Sequence, residues 1–166
     1  MGMAEPSNID IRPIEFEDRA WIEDFYTHRW GSCRVVTRGK LHVVSELPGF
    51  IARNEGTKSG MLTYHHKDEE VEIVTLDSLE PGQGVGSALL SAAAAYAREI
   101  KSRRLWLITT NDNTHALRFY QRQGFNLVKI HRDALQVSRT IKPEIPLVGL
   151  DGIPLRDEIE LEMQLT

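Results

Sequence analysis

The hydrophobic pattern in the first half of the chain is a series of short alternating segments separated by polar turns. Residues 17–30 differ, because apolar residues from Trp21 to Tyr26 recur at helical spacing and predict an amphipathic helix. The mixed, basic residues 31–40 are predicted to be a loop, and the Gly-, Asn- and Ser-rich residues 54–60 a turn. The predicted strands are 9–13, 49–53, 61–66 and 71–76.

Longer apolar stripes follow in the second half. Residues 87–100 are Ala-rich with one apolar face and predict a helix, whereas 105–110 is a continuous apolar run typical of a strand buried on both faces. Residues 142–154 hold three prolines and two glycines and predict a loop. The other predicted elements are helices at 114–123 and 133–141 and strands at 125–131 and 158–165.

Together these elements predict a mixed α/β sheet in a single domain spanning 1–166. An antiparallel N-terminal meander leads into a β-α-β-α-β unit, and a final strand follows. Because β-α-β crossovers are right-handed, strands 71–76 and 105–110 should lie side by side and parallel.

Composition narrows the function classes. Lys and Arg total 20 against 24 Asp and Glu, and the net charge of −4 argues against a general nucleic-acid binder. The single Cys33 cannot form an internal disulfide, which favours a reduced, cytoplasmic setting. No apolar run reaches the ~20 residues of a membrane span, and the N-terminus lacks a signal-peptide layout. A chain of this length can bury enough surface to fold without a structural metal.

Candidate chemistry begins at the glycine-rich turn from Pro81 to Ser87, between a strand and a helix. The first N–H groups of a helix lack internal acceptors and, with the helix dipole, attract anions such as phosphate. The turn fits neither a P-loop, because no Lys precedes Ser87, nor a Rossmann fingerprint, because Leu89 replaces the third Gly. By itself the turn leaves open whether its glycines serve phosphate binding or only loop geometry.

A second motif makes the chemistry specific. Asn113, Ala116, Phe119, Tyr120, Gly124 and Phe125 stand at the spacing Asn-x-x-Ala-x-x-Phe-Tyr-x-x-x-Gly-Phe. With Gly84-x-Gly86 before it, this motif resembles the GNAT N-acetyltransferase superfamily over residues 71–131. The chain departs from the family pattern at Pro81, where the family has Arg or Gln, and in a shorter preceding loop.

The resemblance implies an acyl-CoA N-acyltransferase fold and acetyl-CoA as acyl donor, with no metal. An amine would attack the thioester directly, without a covalent enzyme intermediate. Backbone amides of the strand before the turn would stabilise the oxyanion, and amides of the turn would hold the pyrophosphate. The residues implied for these contacts are Val74, Thr75 and Leu76 on the strand and Gln83, Gly84, Val85, Gly86 and Ser87 in the turn.

Four side chains have roles implied by the resemblance, each with a simpler alternative. Tyr120 would protonate the leaving thiolate, or be only a core aromatic. Glu72 would be the general base, or a solvent-facing strand residue, with Asp77 as the other nearby carboxylate. Asn113 would contact the pantetheine arm, or cap a helix, and Arg122 would contact the 3′-phosphate, or be a solvated charge.

The acceptor is not identified by the sequence. The resemblance implies a pocket between the first helix and the last strands, and a long segment at 132–157 could cover it. We expect a small-molecule primary amine, with a protein Lys or N-terminal amine and a non-catalytic acyl-CoA sensor as alternatives, and a monomer or homodimer. A cluster of aromatic and basic residues could shape this pocket, or be only a helix end with the usual C-terminal cations: Tyr26, His28, Arg29, Trp30 and Arg34.

Overall fold

The computed structural model describes residues 8–165, within which nine strands and four α-helices occur. The strands are β1 (Ile9–Pro13), β2 (Arg34–Thr37), β3 (Lys40–Val43), β4 (Gly49–Asn54), β5 (Thr57–Lys67), β6 (Glu70–Ser78), β7 (Arg104–Thr110), β8 (Asn126–His131) and β9 (Glu158–Gln164). The helices are α1 (Arg19–Trp30), α2 (Val85–Glu99), α3 (Thr114–Arg122) and α4 (Ala134–Ile141). The N-terminal residues that were examined for a signal peptide, and both ends of the predicted 1–166 domain, lie outside the described residues.

Seven strands form one mixed sheet in the order β1-β4-β5-β6-β7-β9-β8. The β6–β7 pair is parallel and the other pairs of this sheet are antiparallel, which confirms the predicted mixed fold and its parallel pair. The last strand of the chain, β9, inserts between β7 and β8.

Strand β6 has two irregularities that together open the sheet. Its pairing with β7 ends at Ile73 and Leu107, although both strands continue beyond that pair. Its pairing with β5 shifts so that Tyr64 faces Ile73 and Thr63 faces Thr75, which leaves Val74 as an extra residue. A β-bulge of this kind bends a strand and changes which side chains share a face.

Each face of the sheet carries its own apolar core. On one face α2 packs with Val71 and Ile73 before the bulge and Leu76 after it. On the other face α1 contributes Ile22 and Tyr26, and this face also carries the β6 side chains Glu72, Thr75 and Asp77.

Helix α2 packs closely on the sheet. A Cβ atom on Gly60 would lie 2.6 Å from a methyl of Val85 and 2.6 Å from the carbonyl oxygen of Asp77, so this position requires glycine. Leu89 is fully buried in the same contact, and its burial contributes about 1.5–3 kcal/mol. The close fit fixes the start of α2 against the end of β6.

The predicted loop at 31–40 is wrong, because β2 and β3 form an antiparallel hairpin there. Arg38 and Gly39 both have positive φ, at 48° and 73°, as a two-residue type I′ turn requires. The predicted turn at 54–60 is also shorter than expected, since β5 already begins at Thr57. Every other predicted helix and strand is present, with ends shifted by one or a few residues.

Within residues 8–165 no helix is both long and apolar enough to cross a membrane.

Candidate active site

A cleft of about 380 Å³ opens where β6 and β7 separate. Residues Val74–Asp77 of β6 form its floor, and Thr110 of β7 lies opposite. Past the Ile73–Leu107 pair, the edge of β6 that faces β7 is not used in strand pairing within the described part of the chain. Backbone N–H groups along this edge are therefore available to a ligand in the cleft.

The walls of the cleft come from both ends of the chain. Tyr26, Trp30 and Arg34 contribute from α1 and β2, which agrees with part of the predicted acceptor cluster. His28 and Arg29 do not line the cleft, although the positive charge of Arg29 partly opposes the rise that burial causes in the pKa of Asp77. The remaining wall residues are Val35, Val36, Leu135, Lys142, Glu144, Ile145, Pro146 and Leu155.

Four hydrogen bonds from two side chains hold the segment after α4 over one side of the cleft. The Arg139 guanidinium donates hydrogen bonds to the carbonyl oxygens of Ile145, Pro146 and Leu155, at 3.2, 2.7 and 2.5 Å. The ammonium of Lys142 donates to the carbonyl oxygen of Arg34 at 2.8 Å. A planar guanidinium with several donors suits this triple contact, which fixes the segment as a wall.

A carboxylate and a phenol meet at the floor of the cleft. The Tyr26 hydroxyl donates a hydrogen bond to Oδ2 of Asp77, and both residues are buried, at 4% and 8% exposure. Burial raises the pKa of Asp77, and the Tyr26 hydrogen bond and the Arg29 charge only partly oppose that shift. Burial also raises the pKa of Tyr26, and the adjacent Asp77 charge adds to this shift.

Glu72 lies on the same face of the sheet, under the β2–β3 hairpin. Its Oε1 accepts a hydrogen bond from the Thr37 hydroxyl at 2.7 Å, and its Oε2 lies 3.9 Å from Nε2 of His42. Burial raises the pKa of Glu72. The pKa of His42 is lowered to about 4, and burial is the largest cause of that shift. Glu72 lines a separate cavity of about 320 Å³ with Lys40 and other polar residues, so the structure does not bring it into the cleft with Val74–Leu76.

The glycine-rich turn is exposed at the start of α2. Gly82 and Gly84 have φ of 82° and 80°, a conformation that favours glycine, and Gly84 is the N-cap of the helix. A Cβ on either glycine would meet nothing within 4 Å, so backbone conformation rather than crowding requires them. The N–H groups of Val85, Gly86 and Ser87 are first-turn amides with no acceptor inside the helix.

Helix α3 meets this turn with a group of basic side chains. Gln123 donates a hydrogen bond to Oγ of Ser87 at 2.9 Å, and a Cβ on Gly86 would lie 3.1 Å from the Phe119 ring. Sequence reasoning missed His115 and Arg118, although their spacing from Arg122 puts all three on one helix face. A cavity of about 390 Å³ is lined by His115, Arg118, Phe119, Arg122 and Gln123.

Asn113 and Tyr120 occupy the two ends of α3. Oδ1 of Asn113 accepts a hydrogen bond from the backbone N–H of Ala116 at 3.1 Å. Asn113 therefore caps α3, which is the simpler of its two predicted roles. The Tyr120 ring packs against Phe119 and Phe125 with centroids 5.3 and 5.7 Å away. Burial and, to a lesser degree, the charge of Asp77 raise the pKa of Tyr120, so the phenol holds its proton at neutral pH.

Comparisons with known proteins identify the class of this site. Residues 19–125 match the family model described as acetyltransferase (GNAT) family. The chain is 38% identical over 145 residues to the protein YxbD of Bacillus subtilis (strain 168), a match that covers 87% of this chain and 91% of that protein. The chain belongs to the acetyltransferase (GNAT) family. It is an acyl-CoA-dependent acetyltransferase, and acetyl-CoA is its acyl donor.

Two further similarities bear on the site. The chain is 35% identical over 80 residues to streptothricin acetyltransferase of Streptomyces lavendulae, covering 48% of this chain and 39% of that protein. A solved GNAT family acetyltransferase from Elizabethkingia anophelis with acetyl-CoA bound has a TM-score of 0.69 and 23% identity, with coverage of 95% of this chain and 99% of that one. The structural match confirms the fold.

Proposed function

We propose that the protein transfers an acetyl group from acetyl-CoA to the primary amine of a small molecule. The observation that carries the proposal is the cleft over residues 74–77, which residues 142–146 wall on one side. A volume of about 380 Å³ suits a small ligand. The similarity to an acetyltransferase named for streptothricin, a small-molecule acceptor, supports the same choice.

The residues at the start of α2 fit the phosphates of the donor. The amides of Gln83–Ser87 and the positive end of the helix dipole would hold the pyrophosphate, and Pro81 contributes no N–H of its own. Arg122, with Arg118 and His115, would face the 3′-phosphate from α3. Asn113, which follows β7 and caps α3, would contact the pantetheine arm. Acetyl-CoA supplies a thioester carbonyl that an amine can attack.

Two further groups would serve the chemistry. N–H groups within Val74–Leu76, beyond the end of the β6–β7 pairing, would donate to the carbonyl oxygen as it gains negative charge. The Tyr120 phenol would give its proton to the sulfur as the thiolate leaves. The general-base role of Glu72 stays a prediction. The cytoplasmic location and the monomeric or homodimeric state also stay predictions.

The test is a panel of primary amines incubated with acetyl-CoA while thiol release and product mass are followed. We expect at least one small amine to gain the mass of an acetyl group with matching thiol release. Transfer to peptide α-amines or lysines, but to no small amine, would overturn the small-molecule proposal.

Donor binding is measured separately by thermal shift. Acetyl-CoA should raise the melting temperature of the wild type, because a ligand that binds only the folded state stabilises it. Gly84→Glu should abolish that shift by adding negative charge at the phosphate site. Gly152→Glu is the matched control, since Gly152 also has positive φ, at 73°, and open space around its Cβ. A wild type without a shift at millimolar acetyl-CoA would contradict the donor site.

A further inference from the structure

We propose that Asp77, hydrogen-bonded to Tyr26, accepts the proton that the acceptor amine loses during transfer. The inference rests on the proposed function, because it requires an amine in the cleft. It assigns the proton to a carboxylate on the cleft floor rather than to Glu72.

Asp77 is positioned by the bulge in β6. The extra residue Val74 puts Thr75 and Asp77 on the α1 face, while Leu76 packs towards α2. Asp77 therefore lies directly after the segment whose amides would hold the thioester carbonyl, and it lines the same cleft. A base must lie within hydrogen-bond reach of the proton it removes, and Asp77 lines the cleft in which an amine would attack this carbonyl.

The surroundings of Asp77 leave it one oxygen for an incoming amine. Tyr26 donates to Oδ2, and within residues 8–165 no hydrogen bond is made to Oδ1. Asp77 is 8% exposed and its hydrogen-bonding partner is neutral, so burial makes its carboxylate more basic than that of an exposed Asp. These properties suit a group that takes up a proton during the reaction and releases it afterwards.

Glu72 lies outside the cleft. One of its oxygens accepts from Thr37, the other faces His42, and the β2–β3 hairpin covers the pair. Its cavity shares no lining residue with the cleft. Glu72 therefore holds the hairpin on the sheet, and Asp77 is the buried carboxylate that an amine in the cleft can meet.

The proposed step balances. The amine nitrogen forms a bond to the thioester carbon and loses one proton to Asp77, while the carbon–sulfur bond breaks and its electron pair stays on sulfur. Tyr120 donates one proton to that sulfur. Solvent then carries a proton from Asp77 back to Tyr120, so the net products are an amide and a free thiol.

The pH dependence of this step reflects every charged group around the cleft. The groups that act on Asp77 or face it are Tyr26 and Arg29 from α1, Tyr120 from α3, Arg34 from β2, and Lys142 and Glu144 after α4. A base must be unprotonated to act, so kcat at saturating amine should fall as the pH is lowered through the pKa of Asp77.

The experiment compares Asp77→Asn with Glu72→Gln, using the amine found active in the panel and acetyl-CoA as donor. We expect Asp77→Asn to lower kcat by about 10² to 10⁴-fold and to lose the acidic limb of the kcat–pH profile. The acetyl-CoA thermal shift should stay within error of the wild type, which reports an intact fold and donor site. Asp10→Asn, on the exposed side of β1, controls for loss of a carboxylate.

A second variant is used if asparagine at position 77 disturbs the packing of the cleft floor. Asp77→Ala leaves space beside Tyr26, and added formate should restore part of kcat in this variant but not in Glu72→Ala. An Asp77→Asn enzyme with wild-type kcat and an unchanged acidic limb would overturn the inference and leave the proposed function standing. A larger loss in Glu72→Gln than in Asp77→Asn would transfer the role to Glu72. A wild type that acetylates no amine would instead refute the proposed function and, with it, the inference.

Discussion

Buried carboxylates on the α1 face of the sheet differ in the partners they meet, and their pKa values shift in opposite directions for that reason. Asp18 receives two hydrogen bonds from the Arg12 guanidinium, at 2.7 and 2.8 Å, and its pKa lies well below the usual range. Asp77 and Glu72 receive hydrogen bonds from neutral hydroxyls, so burial raises the pKa of both. A cationic partner makes a carboxylate a fixed anchor, whereas neutral partners keep it able to take up a proton.

Tyr120→Phe tests the proposed acid, since it keeps the ring packing against Phe119 and Phe125 but removes the hydroxyl. We expect kcat to fall by about 10² to 10⁴-fold in the acetylation assay, with little change in the acetyl-CoA thermal shift. Tyr96→Phe is a control, because Tyr96 of α2 packs against the same apolar core as Tyr120, with its ring centroid 4.6 Å from that of Tyr64. Wild-type kcat in Tyr120→Phe, in a reaction limited by chemistry, would remove Tyr120 from the mechanism and leave the family assignment intact.

Single residues within the two motifs could be predicted from the sequence, whereas pairs across the fold could not. The spacing of Asn113, Tyr120 and the glycines is local, so a linear pattern contains it. Tyr26 and Asp77 are 51 positions apart, and they meet only because a bulge at Val74 changes the face on which Asp77 lies. Strict alternation along 71–76 does not indicate where such a bulge falls.

At the scale of elements, the hairpin β2–β3 was missed because its stability comes from contacts outside it. The segment is short and basic, and its turn residues Arg38 and Gly39 are not the Asn-Gly or Asp-Gly pair that usually predicts a hairpin. The backbone N–H and guanidinium of Arg38 donate to the buried carboxylate of Glu158, 120 positions later. The longer elements, such as α2, are specified by their own periodicity and were predicted.

The segment from Lys142 to Leu155 gives a prediction at this scale. Arg139→Gln removes the guanidinium that contacts three carbonyl oxygens, so the wall should loosen and leave those oxygens to water. We expect a several-fold higher KM for the amine, measured with saturating acetyl-CoA. The KM for acetyl-CoA should not change, because its proposed site at the start of α2 lies on the opposite side of the sheet opening.

The control for this variant is Gln136→Ala on the exposed side of the same helix, which should change neither KM. An equal rise in both KM values for Arg139→Gln would indicate general destabilisation rather than loss of an acceptor wall. Unchanged values for both substrates would show that the segment takes no part in acceptor binding.

Across the whole molecule, the site depends on the sheet being parallel at one pair and open beyond it. Antiparallel neighbours pair along most of their length, but β6 and β7 separate after Ile73 and Leu107, where the cleft begins. The glycine-rich turn follows β6 into α2 and Asn113 follows β7 into α3, so both motifs lie at the same open edge. Ligands of open α/β sheets bind beyond the carboxyl ends of such strands.

Acid stability of the whole fold should depend on Asp18, which joins three parts of the chain. Its carboxylate accepts from Arg12 in β1 and from the backbone N–H of Glu15, and lies 3.3 Å from the ammonium of Lys58 in β5. The folded pKa of Asp18 is lowered chiefly by the Arg12 hydrogen bonds, so its contribution is complete above the unfolded pKa of about 3.9 and is lost as the pH falls below it. Asp77 and Glu72 act in the opposite direction, because their raised pKa values favour the folded state as they become protonated.

We therefore expect Asp18→Asn to lower the free energy of unfolding by about 1–3 kcal/mol at pH 7, measured by urea titration. The difference from the wild type should shrink as the pH is lowered from about 4 towards 2, because the wild type then loses the same charge. Asp24→Asn, at an exposed position of α1, should stay within about 0.5 kcal/mol of the wild type throughout. A difference between Asp18→Asn and the wild type that is the same at pH 7 and pH 2 would show that packing of the side chain, and not its charge on Arg12, provides the stability.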